Sequence, residues 1–261
     1  MTREDVTATP GMVLAYHEVL PESNYAYCVT CDNFAVQLNM LNVLAQEAGQ
    51  RFQARITFDD GEQSQSVHAL PLLKECGISA TYFVNPGLVG TEPKFLNWNQ
   101  LREVQGAGHS MQSHGWSHKF LTFCDDQELA LELAASRKTL EDKLGAGVEE
   151  ISVPGGRWDR RVIEACARAG YKRIYVSEPW IATEMSGVKV LGRFMVRRTT
   201  TLAELKKIVQ RDGRALWAMK IRSQLRHGVV RLVGDGLYHR LWCRLTGYNE
   251  FEAARRQDHY S

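Results

Sequence analysis

The sequence predicts an α/β fold: an irregular (β/α)7-type barrel followed by a C-terminal helical extension. Short apolar runs alternate with helical segments from Met12 to Val196, which is typical of parallel βαβ units. The number of such runs, roughly seven, favours a closed or nearly closed barrel over an open sheet. The 261 residues are also enough to bury a full-sized core.

The individual elements follow from local patterns. Helices are indicated where apolar residues recur three or four positions apart, and the first of these should be capped by Asp32 and end before Gly49. The other predicted helices are Ser66–Glu75, Trp98–Gln105, Asp125–Leu144 and Asp159–Ala169. The predicted strands are Met12–Tyr16, Arg55–Phe58, Ala80–Val84, Ser110–Ser113, Ile151–Val153, Arg173–Val176 and Val188–Val196.

Composition excludes several classes of protein. With 44% apolar and 24% charged residues, the chain is neither disordered nor a collagen-like repeat. A net charge of +2 gives no support to nucleic-acid binding, so no nucleic-acid partner is expected. The sequence contains no long uncharged apolar run, and its first ten residues lack the apolar region of a secretory signal. We therefore expect a cytoplasmic protein with reduced thiols.

Charge divides the chain into two parts. Residues 1–200 hold 20 basic and 24 acidic side chains, whereas residues 201–261 hold 12 basic and 6 acidic ones. We predict a barrel domain over 1–200 and a basic helical extension over 201–261. Its predicted helices are Leu202–Val209, Leu216–Leu225 and Val229–Leu245, with Trp217, Tyr238 and Trp242 interleaved. These helices either pack on the barrel or lie on an anionic membrane surface, peripherally at the inner membrane.

Two motifs directly after predicted strands carry metal-ligating side chains. Asp59 and Asp60 follow one strand, and one carboxylate can bind a metal while the other remains free as a base. His114 and His118 follow another, and imidazole with carboxylate suits zinc and related divalent ions. Either motif alone is also compatible with an ordinary turn or with surface histidines. In one barrel, however, both would lie at the active-site face.

A third motif, Pro154-Gly155-Gly156, also follows a predicted strand. The proline fixes a turn, and the glycines let backbone N–H groups approach a substrate oxygen. This is what an oxyanion hole requires. A plain strand-to-helix turn is the alternative interpretation.

These three motifs, in this order and at this spacing, resemble the polysaccharide deacetylase family, the NodB-homology or family 4 carbohydrate esterases. The run from Tyr16 to Val19 and the run from Asn33 to Leu38 are similar to the start of bacterial members that act in exopolysaccharide pathways. The likeness covers about residues 12–197. It implies the removal of acetyl groups from an N-acetylated glycan or glycolipid, with a divalent metal, usually zinc. By resemblance, Asp59 is the catalytic base, Asp60, His114 and His118 bind the metal, and the Gly155 N–H helps to bind the oxyanion.

The sequence departs from the family pattern at several positions. Gly115 follows the first histidine, where the family has Ser or Thr. Ser152 and Gly155 stand where the family has an arginine and an aromatic residue. Asp59 therefore lacks its usual orienting partner, and Arg157 is the nearest substitute in sequence.

The late strand carries a further departure. It has Leu191-Gly192-Arg193 where the family has a Leu-x-His motif whose histidine protonates the leaving amine. Arg193 cannot act as this acid, because its guanidinium is always charged near pH 7. His17, Glu178 and a water molecule on the metal are the remaining candidates.

Other interpretations stay open at this point. Cys28 and Cys31 form a CxxC motif, for which a loop with two unpaired thiols is favoured over a zinc or redox site. The catalytic residues are also compatible with an amide hydrolase acting on a small non-sugar substrate. A third possibility is an inactive homologue that binds metal and glycan.

Overall fold

The computed structural model describes residues 11–48, 54–221 and 224. Its ten strands in this part of the chain are β1 (Met12–Tyr16), β2 (Glu18–Leu20), β3 (Cys28–Thr30), β4 (Ala54–Phe58), β5 (Ala80–Val84), β6 (Ser110–Ser113), β7 (Glu150–Ser152), β8 (Arg173–Val176), β9 (Ala182–Met185) and β10 (Val188–Met195). Seven of them form a parallel barrel in the order β1, β4, β5, β6, β7, β8, β10, closed by pairing of β10 with β1. The predicted α/β barrel is confirmed.

The barrel closes because β10 is long enough to pair with three other strands. It runs parallel to β8 from Lys189 to Gly192 and then parallel to β1, with Arg193 opposite Val13. The antiparallel strand β9 pairs with its first half. Strand β9 was not predicted, because Ala182, Thr183 and Glu184 are exposed and carry no apolar pattern.

Two further details around the first helix differ from expectation. A two-stranded parallel sheet of β2 and β3 precedes it, so Cys28 lies in a strand rather than in a loop. Helix α1 (Cys31–Ala48) begins before Asp32, and its capping residue is Thr30, whose Oγ1 accepts the Asn33 N–H at 3.3 Å. Thr30 rather than Asp32 caps the helix because Thr30 directly precedes the first turn, and its hydroxyl faces the unpaired N–H groups there. The thiols of Cys28 and Cys31 are both free.

The remaining helices confirm the predicted positions to within a few residues. They are α2 (Leu70–Cys76), which a π-helical turn (Gln65–Ala69) precedes, α3 (Trp98–Gly106), α4 (Asp126–Leu144), α5 (Arg160–Arg168) and α6 (Leu202–Val209). Asp125 and Asp159 cap α4 and α5, each accepting a backbone N–H at 2.8 Å. These caps satisfy N–H groups that the helices leave unpaired.

The barrel interior is partly polar, which positions the site. Because side chains alternate along a strand, Arg55, Thr57 and then Asp59 share one face of β4. Near the amino end of the strands, Arg55 and Arg173 both bind Glu150 at 2.8 Å. Asp59 continues the same face beyond the carboxyl end of β4. The ion pairs of Glu150 and the candidate site therefore lie at opposite ends of the barrel interior.

The start of the C-terminal region packs onto the barrel domain. Helix α6 buries Leu205, Ile208 and Val209, and helical residues 213–221 follow with Trp217 exposed. No helix among the described residues is both long and apolar enough to cross a membrane. The predicted helix Val229–Leu245, with Tyr238 and Trp242, lies outside the described residues. The division into two parts, and the membrane-surface interpretation, stay predictions.

Candidate active site

The predicted site residues lie at the carboxyl ends of the barrel strands. His17 directly follows β1, Asp59 and Asp60 follow β4, and His114 follows β6. Pro154 and Gly155 come just after β7, and Glu178 lies two residues beyond β8. Parallel strands in a barrel place these ends on one face.

Asp60, His114 and His118 form a cluster that fits a metal ion. Their candidate ligand atoms all lie within 4.8 Å of one another. Asp60 Oδ1 is 3.1 Å from His118 Nε2 and 3.5 Å from His114 Nε2. On the other side of its ring, His114 Nδ1 bonds the Ser152 carbonyl at 2.7 Å. That bond places the proton on Nδ1 and directs the Nε2 lone pair into the cluster, as a metal ligand requires.

Electrostatics favour the same role for His114. Burial lowers the pKa of its imidazole to about 4, so the ring is neutral at pH 7. A neutral imidazole is the form that binds metal. The cluster therefore combines two imidazole nitrogens with one carboxylate, a donor set suited to zinc.

The turns that carry two of these residues are strained. Asp60 has φ 72° and His118 has φ 65°, both in the left-handed region. Among residues other than glycine, Asp and His adopt this region more readily than most, yet each instance still costs about 1–3 kcal/mol. Such strain persists where the surroundings fix it, and it commonly marks functional sites.

Asp59 stands beside the cluster but is held differently. Arg193 grips both of its oxygens, Nη1 to Oδ1 at 2.7 Å and Nη2 to Oδ2 at 2.7 Å. Burial alone would raise the pKa of Asp59, but the Arg193 guanidinium outweighs it, and the pKa falls to about 2. The carboxylate is therefore ionised at neutral pH. Asp59 can therefore accept a proton without belonging to the cluster.

The prediction that Arg157 is the partner of Asp59 is wrong. The Arg157 guanidinium lies over the rings of Phe120 and Phe123, at 5.0 and 5.5 Å from their centroids. Arg193 binds Asp59 instead, from a strand 134 residues further along the chain. Proximity in sequence was a poor guide, because the closure of the barrel brings β10 towards the face that Asp59 occupies.

Ser152 lies against Arg193, and Gly155 lies against the ring of Phe120. The Ser152 hydroxyl accepts a hydrogen bond from Arg193 Nη2 at 2.6 Å and lies 3.3 Å from Asp59 Oδ2. Gly155 has φ 64°, and a Cβ there would stand 2.4 Å from Phe120 Cε1. The Phe120 ring thus fills the space that a side chain at position 155 would enter. The role of the Gly155 N–H in binding an oxyanion stays a prediction.

The two candidate acids both lie on this face. His17 is one of the neighbours that lower the pKa of Asp59, and its ring centroid lies 5.2 Å from that of Tyr27. Glu178 Oε2 accepts the indole N–H of Trp158 at 3.4 Å. The choice among His17, Glu178 and a water molecule on the metal stays a prediction.

Three supporting residues were not found from the sequence. Glu132, buried on α4, accepts the backbone N–H groups of Trp116 at 2.8 Å and Ser117 at 3.0 Å, which fixes the turn between the two histidines. The Asn85 amide donates to the His114 carbonyl, and the Gln65 amide donates to that of Asp59. For Glu132 and Asn85 the only sequence signal is a polar residue among apolar ones, which is too common to single out, and Gln65 lies among other polar residues.

Comparisons with known proteins identify relatives of this chain. Residues 47–174 match the profile of the polysaccharide deacetylase family. The protein YxkH of Bacillus subtilis (strain 168), which carries the family's name, is 31% identical over 54% of this chain and 50% of its own length. The match over residues 47–174 thus supports the polysaccharide deacetylase family for this chain. Chitin deacetylase 1 of Cryptococcus neoformans is 30% identical over 44% of this chain but only 23% of its own length. The chain thus spans half or less of these curated relatives.

The fold of this chain also matches that of a solved structure. The Streptococcus pyogenes deacetylase PplD, in complex with acetate, superposes with a TM-score of 0.69 over 78% of this chain and 99% of that one. The two sequences are 23% identical, so the likeness concerns the fold.

Proposed function

We propose that this chain is a metal-dependent hydrolase that removes N-acetyl groups from an N-acetylated sugar or polysaccharide. The proposal rests on two groups of residues that lie side by side at one face of the barrel. Asp60, His114 and His118 form a cluster suited to a divalent ion. Beside it, Asp59 is buried, ionised and bound by Arg193 rather than belonging to the cluster. Binding of metal or glycan alone would need only the cluster, whereas hydrolysis needs both the cluster and a base such as Asp59.

The cluster and the base divide the reaction between them. A divalent ion, which we propose to be zinc, would polarise the acetamide carbonyl and make water more acidic. Asp59 accepts the proton of the attacking water, because its carboxylate is already ionised and oriented. The Gly155 backbone N–H stabilises the oxygen that becomes negative.

The carbon–nitrogen bond then breaks, and the leaving nitrogen needs a proton. Arg193 cannot supply it, since its guanidinium stays charged and is committed to Asp59. His17 or Glu178 takes this role, and the products are acetate and a free amine on the sugar. General acid help of this kind is typically worth about 10²–10⁴-fold in rate.

The match to the family profile and the named relatives support the proposed substrate class. Chitin deacetylase 1 is named for a polymer of N-acetylated sugar, which supports a glycan substrate for this chain. We extend the proposal to an exopolysaccharide or a glycolipid intermediate. The basic extension over 201–261 would then contact the inner membrane surface from the cytoplasmic side.

Two other functions remain as competing outcomes. One is hydrolysis of a small non-sugar amide by the same residues. The other is an inactive homologue that binds metal and glycan. The ionised base beside the cluster argues against the second, because a binding protein has no use for it.

A substrate panel separates these possibilities. The zinc-loaded protein is incubated with N-acetylglucosamine oligomers, with a cyclic ureide and with simple acetamides, and released acetate and amine are measured. We expect acetate from the oligomers and little turnover of the others. Turnover of the ureide alone would favour the small-amide hydrolase. Oligomer binding without acetate, at full zinc occupancy, would favour the inactive homologue.

A further inference from the structure

We infer that Arg193 is a positioning residue that keeps Asp59 out of the metal's coordination, so that the carboxylate stays available as a base. This inference rests on the proposed function. It concerns, however, a property of the site that can be measured without turnover.

Arg193 engages both oxygens of the Asp59 carboxylate. Arg193 binds both Asp59 oxygens at 2.7 Å, and its Nη1 also donates to Thr57 Oγ1 at 3.1 Å. A planar guanidinium that binds a carboxylate through two parallel bonds fixes its orientation as well as its charge. With both oxygens engaged and the pair buried, Asp59 has no free rotation towards the cluster.

The Asp59 carboxylate lies close to the cluster. Asp59 Oδ2 is 3.9 Å from His114 Nε2, only slightly further than the 3.5 Å that separates Asp60 Oδ1 from the same nitrogen. Carboxylate oxygens are good ligands for zinc and related ions. If released, Asp59 would be well placed to become a fourth protein ligand and to fill the position that a catalytic site keeps open for water.

Arg193 is itself held in place by burial and by its neighbours. Its side chain is only 1% exposed, and the guanidinium lies 5.3 Å from the centroid of the Phe83 ring. Ser152 provides both room and a hydroxyl, which accepts Nη2 at 2.6 Å. A larger residue at 152 would compete for this space. The guanidinium therefore reaches Asp59 from β10 because β7 carries a small residue.

The test uses cobalt as a spectroscopic probe in the full chain. Cobalt(II) is titrated into wild type, Arg193→Met and Arg193→Lys, and visible absorption and affinity are recorded. We expect Arg193→Met to change the absorption envelope and to bind cobalt more tightly. Adding Asp59→Asn should return the Arg193→Met spectrum to that of wild type, because an amide is a poor ligand.

Arg55→Met is the matched control. It removes another arginine of the barrel interior, one that pairs with a carboxylate at 2.8 Å at the opposite end of the strands. Its cobalt spectrum should match wild type. Should Arg193→Met fail to fold, Arg193→Lys provides the same comparison, since an ammonium cannot hold both oxygens.

The outcomes separate this inference from the proposed function. A wild-type cobalt spectrum in both Arg193 variants would overturn the inference, whatever the activity. A changed spectrum that Asp59→Asn reverses supports it even if no acetate is released, in which case the proposed function alone fails. Where wild type is active, Arg193→Lys should lower kcat by about 10- to 100-fold with KM little changed.

Discussion

Asp59 and Asp60 are neighbours in sequence, yet the structure gives their carboxylates different tasks. Asp60 faces two imidazoles, whereas Asp59 faces a guanidinium. Strand alternation predicted that the two would diverge. It did not identify the partner of Asp59, because Arg193 lies far away in sequence and its role depends on how the barrel closes.

The lowered pKa of Asp59 predicts a pH effect on stability. The folded pKa of about 2 lies below the ordinary value of 3.8, so the ionised carboxylate stabilises the fold above pH 3.8. This stabilisation, about 2 kcal/mol in full, is lost as the pH falls through the folded pKa. Urea unfolding of the metal-free protein at several pH values between 5 and 2.5 should show it.

Asp59→Asn is the control for this measurement, since the other carboxylates titrate in both proteins. Its overall stability is lower because Arg193 loses its partner, but its stability should fall less steeply with decreasing pH. Equal slopes in the two proteins would contradict the assignment.

Among the helices and strands, those marked by a local sequence pattern were predicted, whereas features that depend on contacts between distant segments were not. Strands β1, β5, β6 and β8 match their predicted bounds, because buried runs ending in polar residues or glycine are visible in a single sequence. The exposed strand β9 was missed, since its pairing with β10 depends on closure of the barrel. The cap of α1 was misassigned by two positions.

The same contrast holds for the site. Asp60, His114 and His118 were found because each motif is contiguous and follows a strand. Two contacts beside the β7 turn come from distant parts of the chain: Arg193 of β10 binds Asp59, and the Phe120 ring lies where a Cβ at position 155 would stand. Neither could be predicted, because both are set by contacts between elements distant in sequence.

The turn after β7 predicts an effect of Gly155→Ala. A Cβ at this position meets Phe120 Cε1 at 2.4 Å, and the backbone has φ 64°. The variant should therefore lose stability and shift the turn, lowering acetate release by about 10-fold or more. Thermal unfolding and initial rates measure the two effects.

Gly145→Ala isolates the conformational part. Gly145 ends α4 with φ 67°, and a Cβ there meets nothing within 4 Å. It should cost about 1 kcal/mol with unchanged activity. Equal kinetics for the Gly155→Ala variant and wild type would rule out a role for this turn.

In the molecule as a whole, the ion pairs of Glu150 and the candidate active site lie at opposite ends of the barrel. Glu150 binds Arg55 and Arg173 near the amino end, away from Asp59 and the cluster. Barrel folds allow this separation because their active sites are built at the carboxyl ends of the strands. The likeness to the fold of PplD, over 99% of that chain, covers the same architecture.

Glu150→Gln tests this separation. It leaves two arginines without their buried carboxylate, so the free energy of unfolding should fall by about 2 kcal/mol. Zinc affinity should not change. Glu149→Gln, which removes an exposed partner of Lys172, should alter stability by less than about 0.5 kcal/mol. Loss of zinc binding in Glu150→Gln would show that the two ends are coupled.

The central claim is that Asp59 serves as a base beside a metal site to which it does not belong. The most direct test compares zinc-loaded wild type with Asp59→Asn on an N-acetylglucosamine oligomer, measuring bound zinc and released acetate in the same samples. We predict equal zinc content in both proteins, with acetate release at least about 100-fold slower in the variant. Equal acetate release at equal zinc content, or loss of zinc from Asp59→Asn, would contradict the claim.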